Sequence, residues 1–314
     1  MPGLSTNRLK GLLLPFPPLP EQNKIVTKLG ELLPQVEKYS KVQNCLDELN
    51  VTINDKLKKS ILQEAIQGKL VPQIAEEGTA QELLEQIKLE KQKLVKDGKL
   101  KKSALTDSII FKGDDNKYYE QVGKSDKEIT EEIAFDLPNG WSWCRLKDIC
   151  SIFTGATFKK EETVTTKEGV RILRGGNISP FELRIKDDDI FLTKDKVKED
   201  IILKENDILT PAVTSLENIG KMVRVNSDMP NTTVGGFVFI IRLYLKNQWL
   251  SKYILYLLSS PFMIDFMKSI TNKSGQAFYN IGKERLSTAL LPIPSLAEQH
   301  RIVAQIEKLF EQLR

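Results

Sequence analysis

The side chains of this chain best suited to chemistry sit in four polar stretches, not in a catalytic pattern. They are Thr157-Phe158-Lys159-Lys160; Arg174 with Asn177; Thr214-Ser215 with Asn218 and Lys221; and Lys273-Ser274-Gly275-Gln276 with Asn280. Lys and Arg neutralise phosphates, and Arg, Asn, Gln, Ser and Thr hydrogen-bond to base edges in a groove. Each residue alone reads equally well as a solvated loop residue. The clustering is what points to nucleic acid. A catalytic apparatus is not visible in the sequence. The single histidine, His300, falls on the exposed side of a helical pattern and reads as a surface residue. The sequence has no G-x-G-x-x-G, no P-loop and no H-E-x-x-H. It also lacks the Asn-Pro-Pro-Tyr type of motif of adenine methyltransferases and any Pro-Asp dipeptide that could open a common nuclease site. Gly175-Gly176 reads as a turn, because no helix with phosphate-facing amides follows it.

Composition narrows the class. Of the net charge of +4, residues 137–292 carry +5, residues 1–136 carry −1 and residues 293–314 carry 0. A mildly basic globular part is compatible with nucleic acid. The scattered cysteines Cys45, Cys144 and Cys150 form neither a disulfide framework nor a zinc knuckle, so reduced thiols and a cytoplasmic location are expected. No apolar run reaches the roughly 18 residues of a membrane helix, and no signal-peptide pattern opens the chain.

The elements that must position these residues follow from periodicity. One stretch occurs twice, 277 residues apart: Pro15-Phe16-Pro17-Pro18-Leu19-Pro20-Glu21-Gln22-Asn23-Lys24-Ile25-Val26 and Pro292-Ile293-Pro294-Ser295-Leu296-Ala297-Glu298-Gln299-His300-Arg301-Ile302-Val303. In each, prolines hold an extended segment and a Glu opens a helix where it complements the dipole. From Glu21 to about Gln67, Ile25, Leu29, Leu32, Val36, Tyr39, Leu46, Ile53 and Leu57 form a heptad seam that Gln43 and Asn50 interrupt. That predicts a helix roughly 70 Å long, although a two-helix hairpin has the same periodicity. Gly68 and Pro72 stop it. A second helix starts at the Thr79-x-x-Glu82 box and ends at Gly98. Residues 99–136 read as a linker or a loosely attached hairpin.

Residues 137–292 alternate strand and helix patterns, and Gly236 to Ile241 reads as a strand buried on both faces. An α+β fold follows. The expected organisation is a remnant of a preceding domain at 1–20, a helical region at 21–98, the linker at 99–136, the globular domain at 137–292 and the start of a second conserved helix at 293–314.

The P-x-P-x-L-x-E-Q-x-x-I-V junctions, the Leu57–Val71 stretch, Leu137-Pro138-Asn139-Gly140-Trp141 followed by Leu146, and Gly275-x-x-x-x-Asn280-Ile281 together resemble the specificity subunit of type I restriction-modification enzymes, over most of residues 10–314. The resemblance implies one target-recognition domain that reads a half-site in double-stranded DNA through the four stretches above. It also implies that the long helices form an antiparallel coiled-coil spacer. The implied partners are the modification (methyltransferase) subunit, which uses S-adenosylmethionine, and the restriction subunit, an ATP-dependent translocase and nuclease. This chain would then be non-catalytic and bind no cofactor. A full family member has two recognition domains, so a half-length or truncated form that pairs with itself or with another specificity chain is the expectation. The rival readings are a coiled-coil adaptor that binds protein and a stand-alone nuclease.

Overall fold

The computed structural model describes residues 14–164, 168–274 and 277–313. The chain divides into two units, Met1–Lys56 and Leu57–Arg314. The expected remnant at 1–20 falls largely outside the described residues.

The first unit is carried by helix α1, Leu19–Ile66, whose last turns belong to the second unit. Its 48 residues at about 1.5 Å each give roughly 70 Å. The helix continues through Pro34. The residue four back is Gly30, where an added Cβ would meet nothing within 4 Å. The seam side chains Ile25, Leu29, Leu32, Val36, Tyr39, Leu46 and Ile53 are all exposed.

In the second unit, Leu62, Ala65 and Ile66 from the end of α1 are buried with Leu83 and Ile87 of α2, Ala80–Lys96. The Thr79 hydroxyl accepts from the Glu82 N–H (3.4 Å) and starts α2 as expected. Gly68 ends α1 at φ +70°. A Cβ there would lie 2.4 Å from Cγ of Pro138, so the chain can cross the helix end only because this residue is glycine.

The stretch expected as a linker or a loosely attached hairpin holds a three-stranded antiparallel sheet: β1 (Ser108–Lys112), β2 (Tyr118–Val122) and β3 (Ser125–Glu128). Its strands are only four or five residues long and β3 is mostly charged, which hides the alternation. Gly123-Lys124 forms the two-residue turn between β2 and β3, with Gly123 at φ +63°.

The remaining elements are β4 (Ser142–Arg145), α3 (Leu146–Ile149), β5 (Cys150–Thr154), β6 (Val170–Leu173), β7 (Ile178–Ser179), β8 (Glu182–Leu183), β9 (Ile190–Leu192), β10 (Ile208–Pro211), β11 (Val213–Thr214), β12 (Val223–Arg224), β13 (Thr232–Val234), β14 (Val238–Leu243), α4 (Gln248–Leu258), α5 (Pro261–Ser269), β15 (Thr271–Ser274), β16 (Phe278–Ile281), α6 (Lys283–Ser287), β17 (Leu290–Ile293) and α7 (Leu296–Gln312). The fold thus mixes helix and strand. The central sheet runs β12-β10-β14-β5 with antiparallel neighbours. β13 pairs parallel with β6, which pairs antiparallel with β9. β11-β16-β15 forms a third sheet, and β17 pairs with β4, joining the two ends of the domain.

The buried strand expected over Gly236–Ile241 is present but starts two residues later. β13 ends at Val234, a turn occupies Gly235–Phe237, and only Val238 onward enters the central sheet. The amphipathic stretch from Leu250 breaks at Pro261. Ser260 accepts from the Met263 N–H (3.4 Å) and Pro261 opens α5. One core packs α2, α4, α5 and α7 with the ends of α1 and the central sheet. A second lies between β6, β9, β13 and β14.

Candidate nucleic-acid interface

The strand directions decide where the four polar stretches meet. In the central sheet β5 and β10 both run antiparallel to β14. The exits of β5 at Thr154 and β10 at Pro211 therefore lie at the end where β14 begins. A backbone network joins the flanking loops there. The Ala156 N–H donates to the Val234 carbonyl (2.7 Å) and the Gly235 N–H to Leu173 (2.8 Å). The Ala212 N–H donates to Phe237 (2.8 Å) and the Ile281 N–H to Ala212 (2.9 Å). A Cβ on Gly155 would lie 2.3 Å from the Val234 carbonyl oxygen, so only glycine permits this approach. The 157–160 loop, the 174–177 turn, the 213–221 segment and the β15–β16 hairpin thus converge on one end of the domain.

The individual residues differ in availability. Thr157, Lys159 and Lys160 are exposed. Among the described residues no carboxylate pairs with the ammonium of Lys159, Lys160, Lys221 or Lys273. The neighbouring Glu162 is turned away from this role. The Lys159 N–H (2.7 Å) and the Lys196 ammonium (3.0 Å) hold its carboxylate below the usual pKa. Arg174 is half-exposed and reaches Asp188, donating to its carbonyl (3.2 Å) and carboxylate (3.4 Å).

Asn177 is different: it is buried, and its amide is committed inside the fold. Its Oδ1 accepts from the Arg174 N–H (2.7 Å), and its Nδ2 donates to the Arg184 carbonyl (2.9 Å) and to Asp189 (2.6 Å). The expectation that it faces a ligand is corrected accordingly. Burial works against the Asp189 carboxylate, but Asn177, the Lys186 N–H and the Arg171 guanidinium hold its pKa below the ordinary value.

Thr214 is buried on β11. Ser215 and Asn218 are half-buried and bond to each other, the Asn218 amide donating to the Ser215 hydroxyl (2.8 Å). In the β15–β16 hairpin, opposed residues share a face. Ser274 lies opposite Phe278 and Asn272 opposite Asn280, so these four exposed residues line one face. Lys273 pairs with Tyr279, as does Thr214, and both therefore lie on the other face. Gln276 lies outside the described residues.

The sequence reading missed Asn272, Phe278 and Phe237. Phe278 is 56% exposed and Phe237 73% exposed. For Asn272 and Phe278 the signal was the alternation with Ser274 and Asn280. For Phe237 it was the preceding Gly235-Gly236, which marks a turn inside an otherwise apolar run.

Away from this end, the repeated junction has a physical account. The Gln22 amide donates to the Pro17 carbonyl (2.7 Å) and the Gln299 amide to Pro294 (3.1 Å), the same bond in both copies. Glu298 accepts from the Trp141 indole (2.9 Å) and the Gln73 amide (2.8 Å), so the closing junction binds the opening of the domain. Burial raises the Glu298 pKa, and the two donors oppose that rise. Arg301 pairs with Glu77 (2.6 Å). A cleft of about 430 Å³ beside it is lined by Glu77, Glu82, Trp249, Leu296 and His300. His300 is exposed as expected and stacks on Trp249, with ring centroids 3.8 Å apart. Among the described residues no group of three His, Cys, Asp or Glu side chains could hold a metal ion, and no helix is long and apolar enough to cross a membrane.

Residues 138–314 match the family described as Type I restriction modification DNA specificity domain. The chain is 30% identical to the type I restriction enzyme EcoAI specificity subunit of Escherichia coli over 95% of its own length and 53% of that protein's. It is 25% identical to the EcoEI specificity subunit of Escherichia coli, over 95% and 53%. A solved chain, from work on complex assembly and conformational transition of the type I R-M system, superposes with a TM-score of 0.50 at 18% identity, covering 99% of this chain and 57% of that one. The chain therefore spans about half the length of these relatives. With its family match and the EcoAI relative together, it belongs to the type I restriction-modification specificity family.

Proposed function

We propose that this chain is a non-catalytic DNA-reading component of a type I restriction-modification assembly. Its second unit would contact a short half-site in double-stranded DNA, and its helices would serve as spacer and docking surface for the modification and restriction subunits. S-adenosylmethionine and ATP would then belong to those partners, in the cytoplasm, and not to this chain. The observation that carries the reading is the convergence of the four polar stretches on one end of the central sheet, with four ammonium groups among them that no described carboxylate pairs.

The partner roles rest on the family and on the curated relatives, which are named as specificity subunits. The contact set that geometry favours is Thr157, Lys159, Lys160, Arg174, Lys221, Asn272, Ser274 and Asn280, with the exposed Lys273 on the hairpin's other face as a further phosphate contact. The exposed seam of α1 supports a coiled-coil spacer, formed with a second copy or with another specificity chain. The same seam is what a protein-binding adaptor would offer, so DNA binding is the discriminating property.

The test replaces Lys159, Lys160, Lys221 and Lys273 together with alanine and measures duplex affinity across salt concentrations. Each phosphate contact contributes about 0.9 to the slope of log K against log salt. The variant should bind all sequences more weakly, with a slope flattened by up to about 3 to 4. Unchanged affinity at low salt would reject this surface. The purified chain should neither methylate nor cut DNA, with or without magnesium, ATP and S-adenosylmethionine. Turnover that co-purifies with the chain alone would count against the non-catalytic reading.

A further inference from the structure

Phe237 is a large apolar side chain in a place that stability does not explain. It is 73% exposed, and among the described residues of the second unit no large apolar side chain is more so. Yet the backbone beneath it is held from every side. The Val238 N–H closes a turn on the Gly235 carbonyl (2.9 Å), and the Phe237 carbonyl itself accepts from Ala212 (2.8 Å). Gly235 is tied to Leu173, and Val234 to Ala156. A Cβ on Gly236 would stand 3.0 Å from the Thr157 hydroxyl, so this turn lies directly against the 157–160 loop. A rigid turn with a two-glycine approach presents one aromatic ring to solvent.

The surroundings decide what that ring meets. A protein-docking surface offers a contiguous apolar patch of several hundred Å². Phe237 instead projects from a rim that carries Thr157, Lys159, Lys160 and, next to Leu173, Arg174, all exposed. An exposed aromatic beside cations that could meet phosphates, with Phe278 on the converging hairpin and no continuous apolar patch on this rim, is the arrangement with which proteins wedge open a base step, unstacking it and bending the duplex. Resting on the DNA-binding reading above, we propose that Phe237 inserts into a base step of the bound duplex. The wedge makes affinity depend on how easily that step unstacks. It thus adds selectivity for deformable pyrimidine–purine steps without a hydrogen bond to any base.

The experiment first selects bound duplexes from a randomised pool with the full chain. It then scans 2-aminopurine along a selected duplex and compares wild type with Phe237→Ala, Phe237→Leu and Phe237→Trp. Wild type should raise 2-aminopurine fluorescence at one step. F237A should abolish that rise and weaken binding about 5- to 100-fold. Its salt slope should not change, because no phosphate contact is lost, and its unfolding midpoint should match wild type. F237L should keep part of the signal, and F237W most of the affinity. Salt-dependent binding with no fluorescence rise at any position, or with F237A indistinguishable from wild type, would overturn the wedge and leave the DNA reading intact. Failure of wild type to bind duplexes in a salt-dependent way would overturn both. Loss of methyltransferase-subunit capture in F237A, with DNA affinity and fluorescence unaltered, would make Phe237 a protein contact and overturn the proposal.

Discussion

Asn177 shows how far residue type reaches and where it stops. An Asn after a Gly-Gly turn is a fair candidate for a base edge, since its amide both donates and accepts. The same two-sided amide also suits a buried turn, where it joins the Arg174 N–H, the Arg184 carbonyl and the Asp189 carboxylate. Type and spacing do not distinguish these uses; burial does. Replacing Asn177 with alanine removes three hydrogen bonds and leaves a buried acceptor and donor short of partners. The expected loss is about 1–3 kcal/mol, read by urea unfolding. Duplex affinity of the folded fraction should keep its salt slope, whereas a base contact would lose affinity with stability unchanged. The lysines were easier to read, because an unpaired ammonium in a loop has few interior uses. Within β15–β16, alternation was present in the sequence, but only the register between the two strands shows that Ser274 and Asn280 share a face and Lys273 does not.

At the scale of the element, the β1–β3 sheet was the least legible part of the chain. Its strands are only four or five residues long and mix apolar side chains (Ile109, Ile110, Phe111, Tyr118, Tyr119, Val122) with charged ones, so no alternation runs long enough to mark a strand. Ile110 and Tyr118 pack against a small core of Ile129, Trp143 and Leu290, and an ion-pair cluster that no local pattern announces ties the sheet to β4. Arg145, at the end of β4, donates to Glu120 of β2 (2.6 and 3.1 Å), pairs with Glu132 (2.8 Å) and donates to the Thr288 carbonyl (2.8 Å). Ser108 donates to the buried Asp148 carboxylate (2.6 Å). By contrast α1, α2 and the α4–α5 break were readable, since caps, prolines and heptads are local signals.

Two pH effects of opposite sign follow from this cluster. Burial disfavours the Glu120 and Glu132 carboxylates, but the Arg145 hydrogen bonds prevail and hold both below the ordinary 4.5. Their stabilisation is present above the unfolded value and is lost as pH falls through the lower folded value. Asp148 goes the other way: burial, opposed by the Ser108 hydrogen bond, raises it above 3.8. Its contribution is complete below the unfolded value and fades as pH rises through the raised one. Glu120→Gln should therefore flatten the loss of stability that sets in as pH falls toward and below the ordinary 4.5. Arg145→Ala, which leaves the buried Glu120 carboxylate without its partner, should destabilise at neutral pH by roughly 3 kcal/mol. Thermal unfolding across pH reads both, and an acid limb in E120Q as steep as wild type would remove Glu120 from this account.

At the scale of the whole molecule, the open question is what the seam of the first unit meets. Along α1, Ile25, Leu29, Leu32, Leu46, Ile53 and Leu57 are between 41% and 48% exposed, and Val36 and Tyr39 more so. A stripe of that length is a surface that soluble monomers avoid. The apolar face of α2 is used elsewhere: Leu83 and Ile87 are buried with Leu62, Ala65 and Ile66 in the core of the second unit. The polar breaks in the seam also fit pairing. Gln43 is held along the helix by Tyr39 (3.3 Å) and Asp47 (2.9 Å), and polar groups at seam positions fix register at a cost in stability. An antiparallel pair of such helices would carry a recognition unit on each chain and read a symmetric, two-part site. Leu46→Asp together with Ile53→Asp places two carboxylates in the seam, so the pair should dissociate while the second unit keeps its thermal unfolding midpoint. Sedimentation at micromolar concentration reads the outcome. A dimer mass for wild type and a monomer mass for the double variant support the seam as the contact. A monomer mass for both, in protein that still binds duplex DNA, would assign half-site reading to the single chain and leave the seam to a different specificity chain.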